Sequence, residues 1–147
     1  MPDTTQTAPA AVAREAVTSW LARFGDALTA RDPAAAAALF TPDCFWRDRV
    51  AFTWNITTME GRGEIADMLS ATLENVAPSR WRVAAGEEPA EADGITEAWL
   101  DFETAVGRCH GHLRLRDGLC WTLLTTLQEL KGYEESSGPR RPQPLAT

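Results

Sequence analysis

Hydrophobic and polar positions along the chain follow two rhythms. Val17, Trp20, Leu21, Phe24 and Leu28 recur at helical spacing and predict a first long amphipathic helix. Arg31-Asp32-Pro33 interrupts it, and Pro33 suits the first turn of a second helix through Ala34–Ala38 to Phe40. Thr41-Pro42-Asp43 then turns the chain, and the rhythm changes to period two. Cys44, Trp46 and Asp48 share one side of a short strand, with Phe45 and Arg47 on the other. Arg49 to Met59 is β-prone and carries Phe52 and Trp54. After Gly61-Arg62-Gly63 a third helix is expected, with Ile65, Met68, Leu69, Leu73 and Val76 on one face and a stop near Pro78.

The remainder alternates. Trp81 to Ala85 is a candidate strand, followed by an acidic loop from Glu87 to Gly94. In Ile95 to Thr104, Ala98, Leu100 and Phe102 face one way; Glu97, Trp99, Asp101 and Glu103 face the other. In Arg108 to Arg116, Cys109, Gly111, Leu113 and Leu115 oppose Arg108, His110, His112, Arg114 and Arg116. Asp117-Gly118 signals a hairpin returning through Leu119 to Leu130. Setting Leu115 opposite Leu119 places Leu113 against Trp121, Gly111 against Leu123 and Cys109 against Thr125, and sends Cys109 and Cys120 to opposite faces. Residues 1–11 are expected as a tail, 12–131 as one domain, and 132–147 as a tail or linker. Three helices followed by a twisted antiparallel sheet predict an α+β roll, a cone whose interior is open at one end.

Composition narrows the chemistry. A formal charge of −7 and a pI near 4.8 argue against nucleic acid or an anionic membrane as partner. Three cysteines lack metal-ligand spacing and fit free thiols in a reducing compartment, and no metal or cofactor is expected. With no signal-like N-terminus and no long apolar run, the chain is expected to be cytoplasmic. Six Trp and five Phe exceed what a minimal core requires and suit an apolar cavity or an interface. Asp48, on the same strand face as Trp46, is the candidate catalytic residue: desolvated in a pocket it would be a usable general base. The plain alternative is an edge carboxylate in water, paired with Arg47 or Arg49.

Helix, helix, Leu39-Phe40-x-x-Asp43, Asp48, Gly61-Arg62, helix and then strands resembles the nuclear transport factor 2-like superfamily over about Val12 to Leu130. That group includes ketosteroid isomerases, SnoaL-like polyketide cyclases, scytalone dehydratases and limonene-epoxide hydrolases. The resemblance implies a cystatin/ketosteroid isomerase-like cone with Asp48 at the position of the isomerase base. It also implies that the isomerase oxyanion donors are missing: Phe24, Leu69 and Gly111 stand at their places. The limonene-epoxide hydrolase set is missing too, with Ala98, Leu100 and Thr125 at its positions. His110 and His112, which a scytalone dehydratase would use, fall on the strand face opposite Leu113 and fit an outer or dimer-facing surface better.

A narrower resemblance covers Leu39 to about Pro142. Trp46-Arg47-Asp48, Ala51-Phe52-Thr53-Trp54-Asn55-Ile56, Gly111-His112-Leu113-Arg114-Leu115, Cys120-Trp121-Thr122-Leu123-Leu124-Thr125-Thr126 and Gln128-Glu129-Leu130-Lys131-Gly132 are similar to the domain fused ahead of flavin-containing monooxygenases. No Gly-x-Gly-x-x-Gly follows a strand, so the chain does not itself encode a dinucleotide site.

Two functions therefore stand. One is an isomerase, cyclase or dehydratase acting on a hydrophobic metabolite, with Asp48 as base. Phe24, Trp46, Met68, Leu69, Leu113 and Trp121 would form its walls, and Phe52 and Trp54 a lid. The other is a non-catalytic ligand-binding or dimerisation module, a homodimer or the partner of a flavin monooxygenase. Trp20 and Trp99 read as ordinary core packing.

Overall fold

Alternating segments build one curved sheet, and the apolar helix stripes lie across its inner face. The structure, a computed structural model, describes residues 2–132. Its order is α1 (Pro2–Thr29), α2 (Pro33–Ala37), β1 (Phe40–Arg49), β2 (Ile56–Glu60), α3 (Gly61–Val76), β3 (Ser79–Val83), β4 (Ala90–Ala92), β5 (Ile95–Glu103), β6 (Gly107–Arg116) and β7 (Leu119–Leu130). Residues 133–147, within the expected tail or linker, lie outside the described residues. Helix α1 begins at Pro2 rather than near Val12, within the expected tail.

Strand order is β2-β1-β7-β6-β5-β3, with β4 on β5 inside the expected acidic loop. Neighbours are antiparallel except β1 and β7, which run parallel. Helix α2 is shorter than the pattern suggested. Asp32 caps it by accepting from the Ala35 N–H at 3.1 Å, but it ends at Ala37. Phe40 instead opens β1 opposite Cys120, where its ring packs 5.8 Å from both Phe24 and Trp46. Sheet pairing and core burial together outweigh the helix propensity of one more turn.

The Asp117-Gly118 turn forms, with φ of 56° and 80°, the left-handed pair a two-residue hairpin needs. It sets Arg116 against Leu119 and Leu115 against Cys120. A bulge at Trp121 then moves the pairing on by one residue, so Leu113 meets Leu123, Gly111 meets Thr125 and Cys109 meets Leu127. The expected register was therefore off, and Cys120 faces inward like Cys109. Cys44, Cys109 and Cys120 are all buried and free. Burial pushes the Cys109 thiol up to about 12, which leaves it inert at neutral pH.

The core runs from Val17 and Trp20 on α1, through Ile65, Leu69 and Leu73 on α3, to Leu100, Leu113 and Leu123 on the sheet. Each such large side chain contributes about 1.5–3 kcal/mol by leaving water. Aromatic rings fill the centre. Trp20 stacks on Phe24 at 4.5 Å, Trp46 meets Phe52 edge-on at 5.0 Å, and Trp81 stacks on Phe102 at 4.0 Å. No helix among the described residues is long and apolar enough to cross a membrane.

Candidate functional site

Asp48 is the penultimate residue of β1, on the inward face with Cys44 and Trp46, as the alternation required. It is 0 % exposed. Its two oxygens accept from four donors. The Phe52 N–H bridges both oxygens at 3.0 and 3.1 Å; the Thr53 N–H and hydroxyl reach Oδ2 at 2.9 Å each; the Thr125 hydroxyl reaches Oδ1 at 2.6 Å. Thr125 in turn accepts from Trp46 Nε1 at 2.8 Å. The carboxylate is thus an acceptor shared between a loop and the neighbouring strand.

That loop explains the arrangement. Between β1 and β2 the chain must reverse, and it does so with Val50 at φ 74° and Trp54 at φ 61°. A left-handed β-branched residue costs energy that something else must offset. Asp48 supplies the compensation by collecting the loop's inward N–H groups, while the Val50 N–H donates to the Asn55 carbonyl at 2.9 Å.

Of the residues expected to surround a substrate, Phe24, Trp46, Phe52, Met68, Leu69 and Leu113 do come together, but as packed core. Phe24, Trp46, Phe52, Leu69 and Leu113 are at most 1 % exposed. The expected funnel is filled by its own aromatics. Trp54, expected with Phe52 as a lid, is 61 % exposed in the loop between β1 and β2, whereas Phe52 is buried. Trp121 is no wall, because the bulge turns it out of the core and the Arg116 guanidinium covers its ring at 4.9 Å. Thr125 and Thr53 were missed. Thr125 is a hydroxyl between Leu123 and Leu127 on the inner face of β7, and that break in an apolar stripe was the available signal.

His110 and His112 lie on the outer face. Trp99 stands between them, 5.2 Å from the His110 ring and 4.6 Å from the His112 ring, and is 41 % exposed rather than core. His110 Nδ1 is 2.9 Å from Asp101 and His112 Nε2 is 3.0 Å from Glu97. Burial lowers the His112 pKa, partly opposed by Glu97. Among the described residues no cluster of three or more His, Cys, Asp or Glu could hold a metal ion.

A family model described as a SnoaL-like domain matches residues 21–122. No curated protein matches the chain. Several solved structures share the architecture. One, from Nostoc punctiforme, is a domain of unknown function with a cystatin-like fold: 14 % identity, 78 % of this chain and 76 % of that one covered, TM-score 0.63. Another, from Catenulispora acidiphila, has a ketosteroid isomerase-like fold and was solved with trimethylamine: 15 % identity, 74 % and 85 % covered, TM-score 0.55. A third, from Xanthomonas campestris, is a candidate calcium/calmodulin dependent protein kinase II association domain: 15 % identity, 76 % and 85 % covered, TM-score 0.60. At these identities the likeness is one of fold, and it agrees with helices laid over a curved sheet. Since the family match runs from the last third of α1 into β7, the chain belongs to the SnoaL-like domain family.

Proposed function

We propose that this SnoaL-like chain is a non-catalytic association module that forms a homodimer through the outer face of its sheet. The observation that carries this reading is the state of Asp48: sealed from water and engaged by four donors, it offers a substrate neither space nor a free lone pair. An isomerase, cyclase or dehydratase needs both.

The outer face has what an interface uses. Trp99 and Phe45 are 41 % and 42 % exposed there. Charge on the face is mixed: β1 carries Arg47 and Arg49, β6 carries Arg108, Arg114 and Arg116, and β5 carries Glu97, Asp101 and Glu103. In register the face runs in rows, Arg47–Leu124–His112–Trp99 and Arg49–Thr126–His110–Asp101. A two-fold axis in the interface along the β6–β7 midline would set basic β1 of one copy over acidic β5 of the other. The similarity to the association domain from Xanthomonas campestris supports the same reading.

Sedimentation analysis of the wild type and of a Trp99→Glu, Leu124→Arg double variant tests it. The expected result is a wild-type dimer at micromolar concentration and a folded monomeric variant. A monomeric wild type would overturn the homodimer and leave the face to a different protein. The flavin-containing monooxygenase suggested by the narrower sequence resemblance would then be the first partner to try.

A further inference from the structure

We propose that the homodimer, on which this inference rests, is keyed by one ion pair made twice, with Arg49 of each copy seated on Asp101 of the other. A closed face-to-face pair needs a two-fold axis in the plane between the sheets, running either across the strands or along them. Charge on the outer face discriminates between the two settings.

An axis across the strands lays each strand on its own copy. Arg47 and Arg49 of β1 would then meet the same two arginines, and Arg108, Arg114 and Arg116 of β6 would meet themselves. Glu97, Asp101 and Glu103 of β5 would do likewise. Like charge would face like charge on all three strands, in a chain that already carries −7. An axis along the β6–β7 midline exchanges the strands instead. The order β1-β7-β6-β5 then places β1 on the partner's β5 and β7 on the partner's β6. Basic β1 meets acidic β5 twice, and the β6 arginines meet a strand whose charged residue is Glu129.

Register picks out the pair. Arg49 lies opposite Thr126, Thr126 opposite His110 and His110 opposite Asp101, so all four share one row of the sheet. Turning that row about the midline brings Arg49 over the partner's Asp101. Stacked sheets cross at about 30°, an offset that a long arginine side chain can span. Arg49 is exposed and makes no side-chain hydrogen bond or ion pair among the described residues. By contrast Arg116 is held by Asp43 at 2.6 Å and Arg108 by Glu129 at 3.3 Å in the same copy. Asp101 contacts His110 Nδ1 at 2.9 Å through Oδ1, and about a third of its side chain stays exposed. Arg82, its neighbour on β3, donates to the Arg80 carbonyl at 2.7 Å. A carboxylate has lone pairs for a bidentate guanidinium beyond that one histidine contact.

Charge exchange tests the pairing, read as a dimer dissociation constant by sedimentation equilibrium. Arg49→Asp sets carboxylate against carboxylate at both ends of the interface, and Asp101→Arg sets guanidinium against guanidinium. Each alone should weaken association at least about ten-fold, Asp101→Arg even though it makes the chain less negative. An equimolar mixture of the two variants should pair again, within about three-fold of the wild type, because the mixed dimer restores both ion pairs. Circular dichroism would confirm that each variant folds. With the axis across the strands, Asp101→Arg would relieve repulsion and tighten the dimer, and mixing would gain nothing. Either result would overturn the Arg49–Asp101 pairing while leaving the homodimer intact. A monomeric wild type would overturn both.

Discussion

Changing Asp48 to Asn replaces one acceptor oxygen by an amide NH2. At the Oδ2 position that group would face the N–H groups of Phe52 and Thr53; at the Oδ1 position it would face the Phe52 N–H and the Thr125 hydroxyl. Either orientation sets donor against donor in a site without water, at an expected cost of about 2–4 kcal/mol. Urea unfolding of the two proteins measures it. A loss below about 1 kcal/mol would mean that the loop does not depend on this carboxylate. The sequence made half of this legible: alternation along Cys44, Trp46 and Asp48 correctly placed the acid inside, beside an aromatic. Its use was not legible, because three of its four donors belong to the adjacent loop. That loop places Val50 in a left-handed conformation that a β-branched residue rarely adopts, so no propensity argument would choose it.

At the level of elements, the helix stripes and the strand parities of β5 and β6 could be read directly, since only one face of each is apolar. Strand β7 is different. Leu119, Trp121 and Leu123 alternate with Cys120, Thr122 and Leu124, so either parity offers an apolar face, and the register depends on a bulge with no sequence marker. The observed register makes a prediction. Gly111 lies so close to β7 that a Cβ would be 2.7 Å from the Leu124 carbonyl oxygen. Backbone cannot withdraw as a side chain can, so Gly111→Ala should destabilise by about 1–3 kcal/mol. At Gly63, in the first turns of α3, a Cβ would meet nothing within 4 Å. Gly63→Ala should therefore be neutral or stabilising by up to about 1 kcal/mol. Thermal melts of the two variants check the contrast, and the reverse order would mean that β6 and β7 pair otherwise.

Taken as a whole, the molecule seals Asp48 within and turns His110 and His112 outward. On the proposed dimer, acid pH has two opposed effects. Two copies of formal charge −7 repel, and protonating carboxylates relieves that repulsion, so net charge alone predicts tighter pairing as pH falls. His112 predicts the opposite. Its pKa is lowered from the ordinary 6.5 chiefly by burial, against the opposing pull of Glu97. Below 6.5 the unfolded chain takes up a proton that the folded chain resists. The stability this residue contributes is therefore fully present above 6.5 and is lost as pH falls through the lower, folded value. Covering Trp99 and Leu124 with a second copy would bury His112 further and widen the gap, so proton uptake should also favour dissociation. Sedimentation at neutral pH and again between about 5 and 6, above the ordinary carboxylate range, separates the two effects. Weaker pairing in the acid sample, largely removed by His112→Gln, is the expected outcome. Tighter pairing that is insensitive to this substitution would place His112 outside the interface.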